Sequence, residues 1–316
     1  MQKRARRREH THLSVIIPLY NKEAEVAATL RSALEQSLRP LEVIVVDDGS
    51  TDRSAEVVVS FRSPLVRLIR QPNAGVSAAR NRAIAEARGE YVALLDADDR
   101  WRPGFLAEIA AMIERWPDCG LYATAFDIVS DEGLVPGRTP RERGPVDDFF
   151  TRSMSCYVAI PSASVIPRTL FAEVGLFPVG MKLGEDQYLW TRIARCRPVC
   201  FSPERLVLYS RVASNRSNAI YTPERSRHTL EELYDASASE ASNEYVARVA
   251  LGKALVISAK GGTEEAARTV RFFGWTRLNR RLLRKVRILN ALPAAWRPAL
   301  LDAYNRLAWR LARKGL

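Results

Sequence analysis

The sequence predicts an α/β fold: a mostly parallel sheet flanked by helices, followed by a helical, basic C-terminal extension. Three observations predict it. Short apolar runs over 13–18, 41–46, 65–69 and 91–95 alternate with helical patterns at the spacing of βαβ units. Those runs are nearly continuous, as expected for strands covered on both faces. From Pro223 onward the pattern turns to long helices.

Each element follows from local chemistry. Residues 13–18 (LSVIIP) read as the first strand, with Pro18 expected to end it because proline cannot donate to a central ladder. Tyr20-Asn21-Lys22-Glu23 make a loop, and 24–36 a helix with Ala24, Ala27, Ala28, Ala33 and Leu34 on its apolar side. Residues 41–46 (LEVIVV) form a second strand. Asp47 is expected to support the turn after it, Gly49 to permit a tight bend, and Asp52 to cap a helix from Arg53. A third strand over 65–69 leads through Pro72-Asn73-Ala74-Gly75 into a helix over 76–87. Gly89 ends that helix, and the strand YVALL follows.

Right-handed crossovers put every strand-to-helix loop along one sheet edge, where ligands of open α/β sheets bind. Tyr20, Asp48 and the acids after YVALL should therefore line one cleft. Asp96, Asp98 and Asp99 cannot lie unpaired inside a strand, so they fall just past its carboxyl end. Asp96 and Asp98 project to the same side of an extended chain. Two carboxylates so placed suit Mg²⁺ or Mn²⁺, or simply form a solvated acidic loop opening a helix.

Trp101–Trp116 reads as a helix with Pro103 near its first turn, 119–129 as a strand and 131–148 as an exposed loop. Residues 157–166 read as a strand interrupted at Pro161, 168–174 as a helical turn and 207–212 as a strand. Gly184-Glu185-Asp186 opens an amphipathic helix with its acids at the favourable end of the dipole. Helices are expected over 224–260 and 263–289, broken at Gly261-Gly262. A basic amphipathic helix is expected over 296–314, where Trp296 and Trp309 suit a membrane surface.

The 316 residues suffice for one large α/β domain and an appendage. We divide them into a basic tail (1–12), an α/β domain (13–222) and a helical region (223–316). The net charge of +12 sits at the ends: residues 1–10 carry +4, residues 268–316 carry +12, and the stretch between is −4. Basic ends favour an anionic surface, whether membrane lipid, nucleic acid or an acidic glycan, or else form a solvated helical face; the membrane, through residues 268–316, is the expected partner. Nucleic acid is not expected, since no aromatic–basic binding motif accompanies the charge. No apolar run approaches 18 residues, so no span is expected. The apolar start is too short for a signal peptide and no cleavage site follows. Four cysteines without a CxxC pair read as reduced thiols in a cytosolic protein.

In order, LSVIIPLYNKE, VIVVDDGSTD, NAGVSAARN, GEYVALLDADD and GEDQYLW resemble the family 2 glycosyltransferases of GT-A fold, over about residues 13–215. The resemblance implies a nucleotide-sugar donor, usually a UDP-sugar, and inversion at the anomeric carbon. It implies that Pro18 and Tyr20 contact the base, with Tyr20 stacked on uracil. Glu23 falls in the same donor-binding segment. Asp48 contacts base or ribose, Arg80 the base, and Asp96 the ribose side of the D-x-D. Asp98 holds the Mg²⁺ or Mn²⁺ on the diphosphate. Asp186 is the implied catalytic base, with Glu185 and Trp190 on the acceptor side. Plainer alternatives stand beside these: Tyr20 as a loop-edge aromatic, Arg80 as a surface charge, Asp99 as a helix cap, Glu185 and Asp186 as N-terminal acids, Trp190 as packing. Many members carry a His after the last strand, and Tyr209–Asn215 has none. Asn215, water or donor oxygens are left to complete the metal site, and Arg211 or Arg216 to neutralise phosphate. The expected activity is transfer to a glycan or lipid-linked acceptor in cell-surface polysaccharide synthesis, at the inner face of the membrane. The alternatives are a non-catalytic nucleotide-sugar-binding scaffold and a phosphoacceptor signalling module.

Overall fold

Leu13–Leu19 (β1) runs through the middle of the sheet because it offers apolar side chains to both faces. Leu13, Val15, Ile16 and Ile17 are all fully buried. The structure, a computed structural model, describes residues 12–212 and 226–303. Glu42–Asp47 (β2) and Tyr91–Leu94 (β4) pair with β1 in parallel on its two sides, and Val66–Arg70 (β3) pairs with β2. Helices Val26–Leu34 (α1), Ser54–Ser60 (α2) and Val76–Glu86 (α3) make the crossovers.

Beyond β4 the sheet changes character. Ser164–Pro167 (β9) lies antiparallel between β4 and Leu121–Ser130 (β6). Val199–Ser210 (β10) runs parallel to β6, and Arg100–Trp101 (β5) closes the far edge antiparallel to β10. The order is β3-β2-β1-β4-β9-β6-β10-β5. Because β9 is antiparallel to both neighbours, β6 points the same way as β4, and their carboxyl ends share one edge. Phe105–Arg115 (α4) buries Phe105, Leu106, Ile109, Ala110, Met112 and Ile113 against the sheet.

Several expectations are corrected. Pro18 does not end β1: it stands opposite Val46 and the strand continues to Leu19. The Ile16 carbonyl bonds Leu95 and those of Leu13 and Leu19 bond Leu41 and Asp48, so Pro18 faces the β4 side. That ladder has already ended at Ile16–Leu94, and the missing N–H costs nothing. The interruption expected at Pro161 is a 3₁₀ turn at Pro161–Ala163, but only Ser164–Pro167 after it is strand; 157–160 are not. The expected loop 131–148 contains Gly133–Pro136 (β7), a hairpin partner of β6, and Gly144–Pro145 (β8), paired with β10. The helix expected from Trp101 starts at Phe105, since Arg100 and Trp101 are in β5.

Contacts divide the chain into two units, Met1–Gly180 with Tyr188–Arg216, and Met181–Gln187 with Ser217–Leu316. Short helices Phe149–Ser153 (α5) and Leu170–Val174 (α6) belong to the first. Glu185–Cys196 (α7) begins among the second unit's residues and continues into the first. The second unit otherwise consists of Glu240–Ala259 (α8), Thr263–Phe272 (α9) and Arg280–Ala291 (α10). The helix expected over 263–289 is two helices because the buried Glu244 carboxylate captures their linker. It accepts from the Thr276 hydroxyl, the Arg277 amide at 2.6 Å and the Asn279 side chain at 2.8 Å. The helix expected from 224 starts only at Glu240, where the Ser239 hydroxyl caps it. The basic tail over 1–11, Asn215 and Arg216, and residues 304–316, on which most of the expected C-terminal helix falls, lie outside the described residues; 297–303 are helical.

Candidate functional site

The loops after β1 and β2 are laced together. The Asn21 amide donates to Ser50 Oγ at 3.0 Å, and Asn21 Oδ1 accepts from the Thr51 amide at 2.7 Å. The Lys22 amide donates to Ser54 Oγ at 2.7 Å. Glu23 closes the same joint: its carboxylate accepts from the Arg53 amide at 2.9 Å and its amide donates to Asp52. This lacing leaves Tyr20 exposed at the end of β1. Asp47 supports its turn by accepting from the Ser50 amide at 3.0 Å. Gly49 has φ +77°, and a Cβ there would stand 2.9 Å from the Asn73 amide nitrogen, so the turn requires glycine.

Asp48 is buried and organises the next loop. Its Oδ1 accepts from Gln71 Nε2 at 2.7 Å and the Ala74 amide at 2.9 Å, and its Oδ2 from the Gly75 amide at 2.7 Å. The acid after β2 thus fixes the chain entering α3, and α3 carries Arg80. Arg80 is not a surface charge: only 2% of it is exposed. Its Nη2 donates to Asp96 Oδ1 at 2.7 Å, and its guanidinium lies over the Phe177 ring at 5.1 Å. The neighbouring Asn81 holds Phe177 by its backbone, donating to the carbonyl at 2.8 Å and accepting from the amide at 3.0 Å.

Asp98 is paired as well. Lys22 Nζ lies 2.9 Å from its Oδ2, both side chains being mostly covered. Burial, with the charge of Asp96, raises the Asp98 carboxyl above the usual carboxylate range despite the lysine. Asp99 does not cap a helix, since α4 starts six residues later. It is buried, its Oδ2 accepting from Ser162 Oγ at 2.5 Å and its Oδ1 from the Ser210 amide at 2.8 Å. Burial, then the charges of Asp98 and Asp96, push its carboxyl well up. Ser162 also accepts from the Asp96 amide at 3.0 Å, and its carbonyl accepts from the Trp101 indole at 2.6 Å. Thr29 on α1 places its hydroxyl 2.8 Å from the carbonyls of Ala97 and Asp99.

Tyr20, Asp48, Arg80, Asp96 and Asp98 therefore share the carboxyl edge of the parallel strands. Lys22, Asn81 and Ser162 complete that edge and had no role assigned from sequence. Among the described residues no three His, Cys, Asp or Glu side chains are grouped to hold a metal ion. Asp96 and Asp98 offer hard carboxylate oxygens. That donor set fits a Mg²⁺ or Mn²⁺ held chiefly by phosphate oxygens and water rather than by a protein cage.

In the second unit, Gly184 at φ +87° turns the chain into α7. Asp186 accepts from the Gln187 amide at 2.9 Å. Burial raises the Tyr245 phenol, and the Asp186 charge adds to the shift, so the two side chains are electrostatic neighbours. Trp190 is buried, edge-on to Phe177 with ring centroids 6.2 Å apart, the position of a packing residue.

The model of glycosyl transferase family 2 matches residues 14–175. The glycosyltransferase YibD of Escherichia coli K12, itself uncharacterized, is 45% identical over 102 residues, 32% of this chain and 30% of YibD. The match thus spans under a third of that relative. TuaG of Bacillus subtilis, a glycosyltransferase named for teichuronic acid biosynthesis, is 34% identical over 125 residues, 38% of this chain and 49% of TuaG. Residues 1–349 of S. aureus TarS, solved with UDP-GlcNAc, superpose with a TM-score of 0.69 at 20% identity, covering 93% of this chain and 92% of theirs. The fold is that of GT-A enzymes, and the chain belongs to glycosyl transferase family 2.

Proposed function

We propose that this glycosyltransferase moves a sugar, with inversion, from a UDP-sugar to a hydroxyl of a glycan or lipid-linked acceptor in cell-surface polysaccharide synthesis. The observation that carries the reading is the convergence of Tyr20, Asp48, the Arg80–Asp96 pair and the Lys22–Asp98 pair on one sheet edge. Tyr20 offers an exposed ring on which a base can stack. Three donors fill Asp48, and a carboxylate accepts about four, so room remains for one N–H of a base. Pro18 and Glu23 shape the loop that presents Tyr20, and the Arg80–Asp96 pair borders the ribose.

Asp98, with Asp96, would hold a Mg²⁺ or Mn²⁺, which when bound acts as a Lewis acid toward the departing diphosphate. Lys22 keeps the empty acid pair from repelling the incoming phosphates. Asp186 takes the proton of the acceptor hydroxyl as general base, an assignment carried by the Gly184-Glu185-Asp186 motif, with Glu185 on the acceptor side and Trp190, buried, packing behind them. Displacement from the face opposite the leaving group inverts the centre and needs no enzyme nucleophile. UDP-GlcNAc in TarS supports the donor class, and the name of TuaG supports the polysaccharide. The charge of residues 268–316 supports a peripheral position on the inner membrane face.

Calorimetric titration of UDP with and without Mn²⁺, on the wild type and Asp98→Ala, tests this reading. UDP should bind more tightly with Mn²⁺, and Asp98→Ala should abolish the enhancement. Absence of UDP binding under both conditions would refute the donor assignment. Donor binding without turnover on any hydroxyl or water would move the reading to a nucleotide-sugar-binding scaffold.

A further inference from the structure

Away from the acid cluster, four arginines line a second cleft of about 420 Å³. Its walls are the loop 137–142, the chain leaving α5 at Ser155 and Cys156, and Pro203 and Arg205 of β10. The lining carries Arg138, Arg141, Arg152 and Arg205 against one acid, Glu142. Glu142 is itself mostly exposed and 3.7 Å from Arg152. Among the described residues neither Arg138 nor Arg141 has a carboxylate within ion-pair distance. Burial raises the Cys156 thiol of the lining, while the Ser155 hydrogen bond and the charges of Arg152 and Arg138 pull it the other way.

The cleft is built into the fold. The Gly137 amide returns to the Phe126 carbonyl at 3.0 Å, which turns the chain after β7 back over β6. A Cβ at Gly137 would stand 2.6 Å from the Phe126 ring, so the loop closes there only with glycine. Arg205 Nη1 donates to the Phe126 carbonyl at 3.0 Å and lies 3.5 Å from Asp127. The Tyr157 amide donates to the Arg138 carbonyl at 2.8 Å, tying the opposite wall to the arginine loop. Tyr157, next in the chain to the lining residue Cys156, stands edge-on to Phe126 and is 54% exposed.

Covalent and hydrogen-bonded links join this cleft to the edge that carries Asp98. Asp127 bridges Arg205 and Arg102, and Arg102 follows Asp99 by three residues. Tyr209, also against Phe126, precedes Ser210, whose amide holds Asp99. A cleft of this size takes one or two sugar units. Arginine forks pair with planar or tetrahedral oxyanions, and an exposed tyrosine stacks on a sugar ring.

The geometry points to an anion-reading acceptor subsite. The cleft binds a negatively charged unit of the acceptor glycan, a phosphodiester or a carboxylate, through Arg138, Arg141, Arg152 and Arg205, with Tyr157 under the neighbouring ring. The ligand's role as acceptor rests on the transfer reaction proposed above; the site's preference for anionic glycan does not.

The test titrates four probes into the full chain: an oligo(glycerol phosphate), an oligogalacturonate of equal charge, a neutral malto-oligosaccharide of equal length and a single-stranded DNA of equal charge. UDP is titrated alongside. The wild type should bind one anionic glycan at least tenfold more tightly than the neutral one, and which of the two identifies the charged unit. Arg138→Gln with Arg141→Gln should weaken that binding tenfold or more and leave UDP affinity unchanged. Tyr157→Ala should weaken the glycan and spare the DNA. Equal affinity for neutral and anionic glycans, unchanged binding in the double variant, or DNA binding as tight as the glycan would each overturn the subsite. Loss of UDP binding with the anionic preference intact would instead count against the donor reading and leave the cleft standing.

Discussion

Lys22 decides how the acid pair behaves before substrate arrives. Its ammonium, 2.9 Å from Asp98, occupies a carboxylate oxygen that a divalent ion would also seek. Replacing it by Gln removes the competing charge and leaves a side chain of similar reach. Lys22→Gln should bind Mn²⁺ in the absence of nucleotide about tenfold more tightly than the wild type, roughly 1.4 kcal/mol. Electron paramagnetic resonance of free Mn²⁺ measures this without any turnover. An affinity equal to or below that of the wild type would show that the pair does not compete with metal. At this scale the sequence was readable wherever chemistry sits inside an ordered motif: Tyr20, Asp48, Arg80, Asp96 and Asp98 reach one edge. Lys22 and Ser162 were not readable. Their roles depend on partners 76 and 63 residues away or more, such as Asp98 for the lysine and Asp99 for the serine, and a lone hydroxyl or ammonium carries no signal of what folds beside it.

The joints between elements rest on a second set of polar residues. Glu42, at the start of β2, is 2% exposed and ties three elements together. It accepts from Ser14 Oγ of β1 at 2.8 Å and from the Arg88 amide after α3 at 2.7 Å, and Arg67 of β3 lies 3.7 Å away. Burial works to raise its carboxyl, but the Arg88 amide, the Ser14 hydroxyl and the Arg88 charge outweigh it and hold it below the usual range. A carboxyl so lowered stabilises the fold above its unfolded value, about 4.3, and that contribution is lost as pH falls through the lower folded value. Glu42→Gln should therefore cost about 1.5–3 kcal/mol at pH 7, with the gap between variant and wild type narrowing below about pH 4. Urea unfolding at both pH values measures it; a gap independent of pH would refute the ionised pairing. The parallel half of the sheet was legible because fully buried strands are written as apolar runs. β9 was read as part of a longer strand, but its antiparallel place between β4 and β6 was not, since only Ser164–Pro167 pairs and four residues carry no pattern that fixes direction. Pro18 misled because the rule against proline in a ladder applies to the side its nitrogen faces, and that side had no partner.

Across the whole chain the charge is sorted, with a mildly acidic middle and strongly basic ends. Within the described residues α10 shows how the basic end folds. Leu283, Val286 and Leu289 are buried at a spacing of three, and Arg280, Arg281, Arg284 and Arg287 are exposed. Exposed apolar residues accompany them: Leu278 at 68%, Ile288 at 64% and Trp296 at 63%. Guanidinium groups beside exposed indole and aliphatic side chains suit the headgroup region of an anionic bilayer, where each basic residue contributes about 1 kcal/mol. No described helix is long and apolar enough to cross a membrane. Removing residues 268–316 would cut through α9 and confound binding with unfolding, so charge is the cleaner variable. Replacing the four exposed arginines by Gln keeps the buried leucine and valine stripe. It should lower partition onto phosphatidylserine-containing vesicles by about two to three orders of magnitude, from about 4 kcal/mol of lost attraction. Flotation of the wild type should fall as salt rises, because exposed charges are screened within about 10 Å at 0.1 M. Trp296→Ala should weaken flotation by a smaller, salt-independent factor, since it removes buried apolar area rather than charge. Equal flotation of the wild type and the four-arginine variant would remove the membrane from the functional reading and leave the basic surface to a protein partner.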